Sequence, residues 1–153
     1  MCEITSVDLQ NVMHGRIKGN VDELKAFQKR ILKTLERLDV RNEGGSIKQI
    51  HSSEVVNEEH IIDLEIWILL DKKVEIDGEF DFLEHFTLND VVMIEHKGSP
   101  EDSDKTIAKL ENYLEKNHLF PTEPAYNHSL HLVRKNMEKE EMHFKVYLKV
   151  KKQ

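Results

Sequence analysis

The chain has 153 residues, 39% hydrophobic and 33% charged, with a formal net charge of -7. That length suits one domain, or two intimate half-domains sharing a core. The acidic balance excludes a nucleic-acid-binding domain, whose footprint is a basic face; Lys149, Lys151 and Lys152 are too few to reverse it.

Cys2 is alone, so no internal disulfide and no cysteine zinc site is expected. The opening MCEITSVDLQ lacks the basic and apolar regions of a signal peptide. The longest apolar run, 66–70, is far short of the roughly 20 residues that span a bilayer. The expectation is a cytoplasmic protein with no membrane partner and no direct nucleic-acid partner.

Residues 1–10 read as a lead-in, with Ile4, Val7 and Leu9 able to start an edge strand. From Val12 to Lys18 alternation predicts a strand, with Met13, Gly15 and Ile17 on one face and His14, Arg16 and Lys18 on the other. Gly19 breaks it. Asn20 and Glu23 form a capping-box pattern, and Leu24, Phe27, Ile31, Leu35 and Leu38 make the apolar stripe of a helix. RNEGG at 41–45 ends it with turn chemistry. A strand over 46–56 and a turn over 57–59 follow. The next strand, 61–70, puts Ile62, Leu64, Ile66, Ile68 and Leu70 on one face and Asp63, Glu65, Trp67 and Leu69 on the other.

The charged stretch 71–78 reads as a boundary. Phe80, Phe82 and Phe86 begin a strand, and Val91 to Lys97 forms another, ended by Gly98. Ser99 is placed to cap the next helix, with Pro100 at its permissive first position and Ile107, Leu110 and Leu114 as its buried stripe. Pro121 and Pro124 set up an extended segment, 126–134. A turn over 135–138 leads to a last strand, 142–150, with Met142, Phe144, Val146, Leu148 and Val150 inward.

The chain repeats itself. Setting Asn11 against Asp90 aligns Val12 with Val91, Lys18-Gly19 with Lys97-Gly98, Ile31 with Leu110 and Leu35 with Leu114. The expected architecture is α+β: duplicated βαββ units, 1–78 and 79–153, forming a curved antiparallel sheet with two long helices on one side.

This duplicated unit resembles the GyrI-like effector-binding domains, found in AraC- and MerR-type regulators and in standalone proteins. VVMIEHKGSPEDSDKTIAKLENYLEKNHLFPTEPAY is similar to that family's strand, His-x-Gly corner, helix and Pro-containing link. IIDLEIWILL and EEMHFKVYLKV resemble its later strands. The resemblance implies non-covalent binding of an organic, often cationic and lipophilic molecule in a cleft between the halves, commonly read by a buried Glu among aromatics. That Glu usually follows the Pro-containing link. Here Tyr126-Asn127-His128 stands there, with no acid between Pro124 and Glu138, so the residue does not carry over.

The residues suggest their own candidates. Glu65 and Trp67 share a strand face, and their repeat partners are Lys145 and Tyr147. Such groups make the wall of a ligand cleft; the plainer reading has the aromatics covering the outer sheet and Glu65 paired with Lys145. Glu95 lies with Val91 and Met93. It is a desolvated site acid with a raised pKa if that face is buried, an edge residue if it faces water, or a partner for Arg16. Tyr126 completes the ligand-binding set of Glu65, Trp67, Glu95, Tyr126 and Tyr147.

His128 and His131 fall on opposite faces of a strand, so no metal and no cofactor is expected. Catalysis finds little support: Ser99 near His96 is a helix cap by position. A small organic molecule is the expected partner. The alternative is an interaction protein, an immunity factor or secretion adaptor, with a filled cleft and a protein partner.

Overall fold

Asn20 stops the first strand and starts the first helix. In the computed structural model, which describes residues 2–130 and 142–152, its side chain accepts from the Glu23 backbone N–H at 2.9 Å. Glu23 returns the contact, accepting from the Asn20 N–H at 3.1 Å. This closed box opens helix α1, Val21–Leu38, which buries Phe27, Ile31, Thr34 and Leu35. Each fully buried apolar side chain in that stripe stabilises the fold by about 1.5–3 kcal/mol.

The architecture is α+β, two βαββ units with antiparallel strand pairing. The chain divides into two compact units. One is Asp8–Phe86; the other is made of the described residues before and after it. The first contains most of strand β1 (Glu3–Gly19), α1, β2 (Asn42–Val56) and β3 (Glu59–Leu70). β3 pairs antiparallel with β1 and with β2. Met13, Ile66, Ile68, Leu70 and Phe80 close over the α1 stripe as one core cluster.

The second unit contains most of β4 (Asp81–Gly98), a 3-10 turn at Pro100–Asp102, helix α2 (Ser103–Lys116), and strands β5 (Leu119–Pro121), β6 (Tyr126–Ser129) and β7 (Met142–Lys152). β7 pairs with β4 along one side and with β6 and β5 along the other. Val92, Ile94, Val146 and Leu148 meet Leu110 and Leu114 of α2 in the second core cluster.

Several boundaries differ from those the sequence predicts. β1 takes in the lead-in, and β4 joins two expected strands into one. Both run through a residue with left-handed backbone, Asn11 at φ 58° and Asp90 at φ 53°. Asn and Asp tolerate that region best among residues with a Cβ. These two residues head the two repeats. At the same alignment, Asp39 and His118, just past the two helices, have φ 52° and 54°. The duplication therefore persists in backbone conformation where the letters have diverged.

β2 begins inside the expected turn, at Asn42 rather than Ser46. Gly44 and Gly45, at φ 90° and 87°, sit inside the strand, where the register slips between Asn42 and Ser46. Asn57 and Glu58, both with positive φ, make the two-residue turn between β2 and β3. Ser99 caps the 3-10 turn rather than α2, which starts at Ser103. Met142, expected inward, is exposed. The expected turn over 135–138 lies outside the described residues. No helix among them is long and apolar enough to cross a membrane.

Candidate functional site

Alternation along β3 sends Ile66 and Ile68 into the core under α1. It leaves Asp63, Glu65 and Trp67 on the face turned away from that helix. Pairing then chooses their neighbours. Trp67 lies opposite His14 and Ile47, Glu65 opposite Arg16 and Gln49, and Asp63 opposite Lys18 and Ser52.

His51 is the extra residue of a bulge, because the register passes from Ile50–Leu64 directly to Ser52–Asp63. A bulge re-aims a side chain, and here it brings His51 Nε2 to 2.8 Å from Glu65 Oε1. From the other flanking strand, His14 Nε2 reaches Glu65 Oε2 at 2.6 Å. Each carboxylate oxygen therefore has an imidazole on it. Arg16 stands further off, its Nη1 4.0 Å from Glu65 Oε1.

The cluster extends outward. His14 Nδ1 lies 3.3 Å from Asp81 Oδ2. Arg16 donates from Nε and Nη2 to the two oxygens of Asp63 at 2.9 and 3.0 Å, a fork-on-fork pair. The Trp67 ring packs 5.5 Å from that of His14 and 4.9 Å from that of Phe86, at tilts of 34° and 39°. Trp67 and Gln49 are buried.

Electrostatics follow from these contacts. Burial pushes the Glu65 carboxyl up, but hydrogen bonds from His14 and His51 more than offset it and hold the pKa below the ordinary value. Asp63 is likewise held down by its hydrogen bonds from Arg16, whose own pKa rises. Glu65 is therefore ionised at neutral pH beside an aromatic wall, an arrangement suited to a cation or a hydrogen-bond donor.

The second unit carries the other candidates. Tyr147, Tyr126 and His128 share the β7–β6 face opposite the α2 core, with Tyr126 paired to Tyr147 and His128 to Lys145. All but Lys145 are buried. Tyr147 OH lies 3.2 Å from His128 Nδ1, and Tyr126 OH donates to Glu123 Oε1 at 2.6 Å. Burial, with Glu95 adding to it, pushes the Tyr147 phenol up to about 12.

Glu95 lies opposite Lys145 and accepts from His143. The rise in pKa expected of a buried Glu95 does not occur. Its side chain is 44% exposed, and the hydrogen bond from His143, helped by Lys145 and Lys97, holds the carboxyl below its ordinary value.

The expected set thus falls into two groups, Glu65 with Trp67 and Glu95 with Tyr126 and Tyr147, each within its own unit. Sequence reasoning missed His14, His51, Glu123, His128 and His143 as their partners. Alternation does place His14 on the right face, but only the strand register sets it opposite Trp67.

His96, at the His-Lys-Gly corner, is structural. Its buried ring lies 2.7 Å from Thr106 Oγ1 at Nδ1 and 2.8 Å from the Ser99 carbonyl at Nε2, and so ties β4 to α2 and to the turn before it. Among the described residues no group of three or more His, Cys, Asp or Glu side chains is arranged to hold a metal ion.

The class defined by this architecture is a βαββ duplication carrying polar and aromatic sheet faces. No family model matches the sequence, and no curated protein does. Solved structures do match. The C-terminal domain of EcmrR is similar at 14% identity and a TM-score of 0.65, over 100% of this chain and 98% of that one. EcmrR in its complex with DNA matches at 14% identity and a TM-score of 0.66 over 100% of this chain, which spans 58% of that chain's length. A hydrolase from Listeria innocua is similar at 17% identity and a TM-score of 0.61, over 98% and 91% of the two chains. At these identities the likeness is one of fold. It is the fold that the resemblance to GyrI-like effector-binding domains implied.

Proposed function

We propose that this protein binds a small organic molecule, lipophilic or cationic, without covalent chemistry. The observation that carries this reading is the face of β1, β2 and β3 on which Trp67 stands between His14 and Phe86, beside the ionised Glu65. An apolar wall with a few converging polar groups is the common form of a small-molecule site. Apolar burial would supply most of the affinity, and Glu65 would select for positive charge. Within the other unit, Tyr126, Tyr147 and Glu95 are proposed as a separate set of ligand contacts, supported by the burial of the two phenol rings and their polar partners.

A thermal-melt screen against lipophilic cations, neutral aromatics and anions tests the reading. A ligand at a hundred times its dissociation constant adds about 2.7 kcal/mol, which for a chain of this size is a shift of roughly 5–10 °C. The expected result is a shift for cations that Glu65→Gln removes. No shift with any class would sink the reading.

A further inference from the structure

Both oxygens of Glu65 already have an imidazole on them. A carboxylate meeting a single imidazole keeps an oxygen for a ligand, but here His14 Nε2 and His51 Nε2 take one oxygen each, at 2.6 and 2.8 Å. The second nitrogen of His14 faces Asp81 Oδ2 at 3.3 Å. Ionised carboxylates only accept hydrogen bonds. His14 therefore makes both contacts together only as an imidazolium, with an N–H on each side.

We infer that His14 and His51 serve as internal counter-cations of Glu65, and that a cationic ligand reaching this carboxylate does so by expelling their protons. The inference rests on the binding reading above and adds a regulation to it: affinity for cations rises with pH. The charged groups around Glu65 are His14 and Arg16 from β1, His51 from β2 and Asp63 on its own strand, with Asp81 beyond His14. Arg16 does not lose its proton in proteins and is committed to Asp63 by two hydrogen bonds. Asp63 and Glu65 are both held below the ordinary carboxylate range. Histidine is the side-chain type whose charge a modest change of surroundings switches near neutral pH, and His14 and His51 are the histidines on this carboxylate.

At acid pH the imidazolium protons satisfy Glu65 and repel an incoming cation. As pH rises they leave, and the carboxylate becomes open to an external positive charge. Linkage makes the effect countable. Each proton expelled per cation bound raises affinity by up to tenfold per pH unit across the histidine range. Site selectivity follows as well: neutral and anionic aromatics, which do not compete for Glu65, gain nothing from the change.

The test uses benzyltriethylammonium, whose charge is permanent, so that pH acts on the protein alone. Binding is followed by the fluorescence of Trp67, the chain's only tryptophan, at pH 6 and pH 8. Wild type is compared with a His14→Gln/His51→Gln double variant, which keeps N–H donors but cannot titrate. Calorimetry on the wild type in two buffers of different ionisation enthalpy counts the protons released. The expected result is at least tenfold tighter binding at pH 8 by the wild type, one to two protons released, and equal affinities at both pH values for the variant. Equal wild-type affinities at pH 6 and pH 8, or calorimetry without proton release, would overturn the inference while the binding reading stands. A pH dependence that survives in the double variant would also overturn it, because another group would then be responsible. If neither protein binds at either pH, the binding reading fails and takes the inference with it. Should the double variant not fold, the proton count on the wild type decides alone.

Discussion

His14 and Glu65, on neighbouring strands and far apart in sequence, are joined by a 2.6 Å contact between Nε2 and Oε2. The contact links the pH dependence of stability to the candidate binding face, since the carboxylate that would read a ligand also holds two strands together. Glu65 has a folded pKa below its ordinary value. Its contribution to stability is therefore present above the unfolded pKa of about 4.3 and is lost as pH falls through the folded value. Glu65→Gln should flatten the acid limb of a melting-temperature profile below about pH 5. At pH 7 the loss of charge-assisted hydrogen bonds should cost about 1.5–3 kcal/mol. A variant whose acid limb matches the wild type would show that the pairing does not contribute to folding.

Gly15 is fixed by contact rather than by backbone strain. A Cβ there would stand 2.7 Å from Phe80 Cδ1 and 3.1 Å from Phe27 Cζ, both in the core beneath α1. Gly15→Ala should destabilise by about 1–3 kcal/mol through overpacking, as read by chemical denaturation. Gly15→Ala combined with Phe80→Leu should recover part of the loss, because the smaller side chain vacates the clash.

Asn20 and Glu23 make a reciprocal cap. Asn20→Ala should cost about 1 kcal/mol, and Asn20→Gly only a few tenths. Equal losses from the two substitutions in denaturant melts would mean that the side-chain cap is not what holds the start of α1.

Tyr147 should titrate late. Its phenol is pushed up to about 12 by burial and by Glu95, whereas an ordinary tyrosine ionises near about 10. Absorbance near the tyrosinate band should show a late step close to pH 12, and Tyr147→Phe should remove it. Because the folded pKa is raised, the associated stability is complete below about pH 10 and is lost as pH climbs towards 12.

Much of this was legible in the chain. The capping box, the stripe of Phe27, Ile31 and Leu35, and the two faces of 61–70 all follow from local rules of spacing, and the structure has them. Glu65 and Trp67 were visible as an odd pair on a strand face for the same reason. The joining of β1 and β4 through Asn11 and Asp90 was not visible, because a polar residue in left-handed conformation reads as a break. His51 was hidden for a similar cause: a bulge shifts the face of one residue without leaving a mark in the alternation.

The sequence by itself determined the βαββ repeat, the helices and the faces of the strands, because each depends on periodicity and caps acting within a few residues. Only the tertiary structure decided that Glu65 is held between two imidazoles and that Glu95 stays exposed beside His143. Those outcomes depend on strand register, and register comes from the packing of whole faces against a core, which no short stretch of sequence contains.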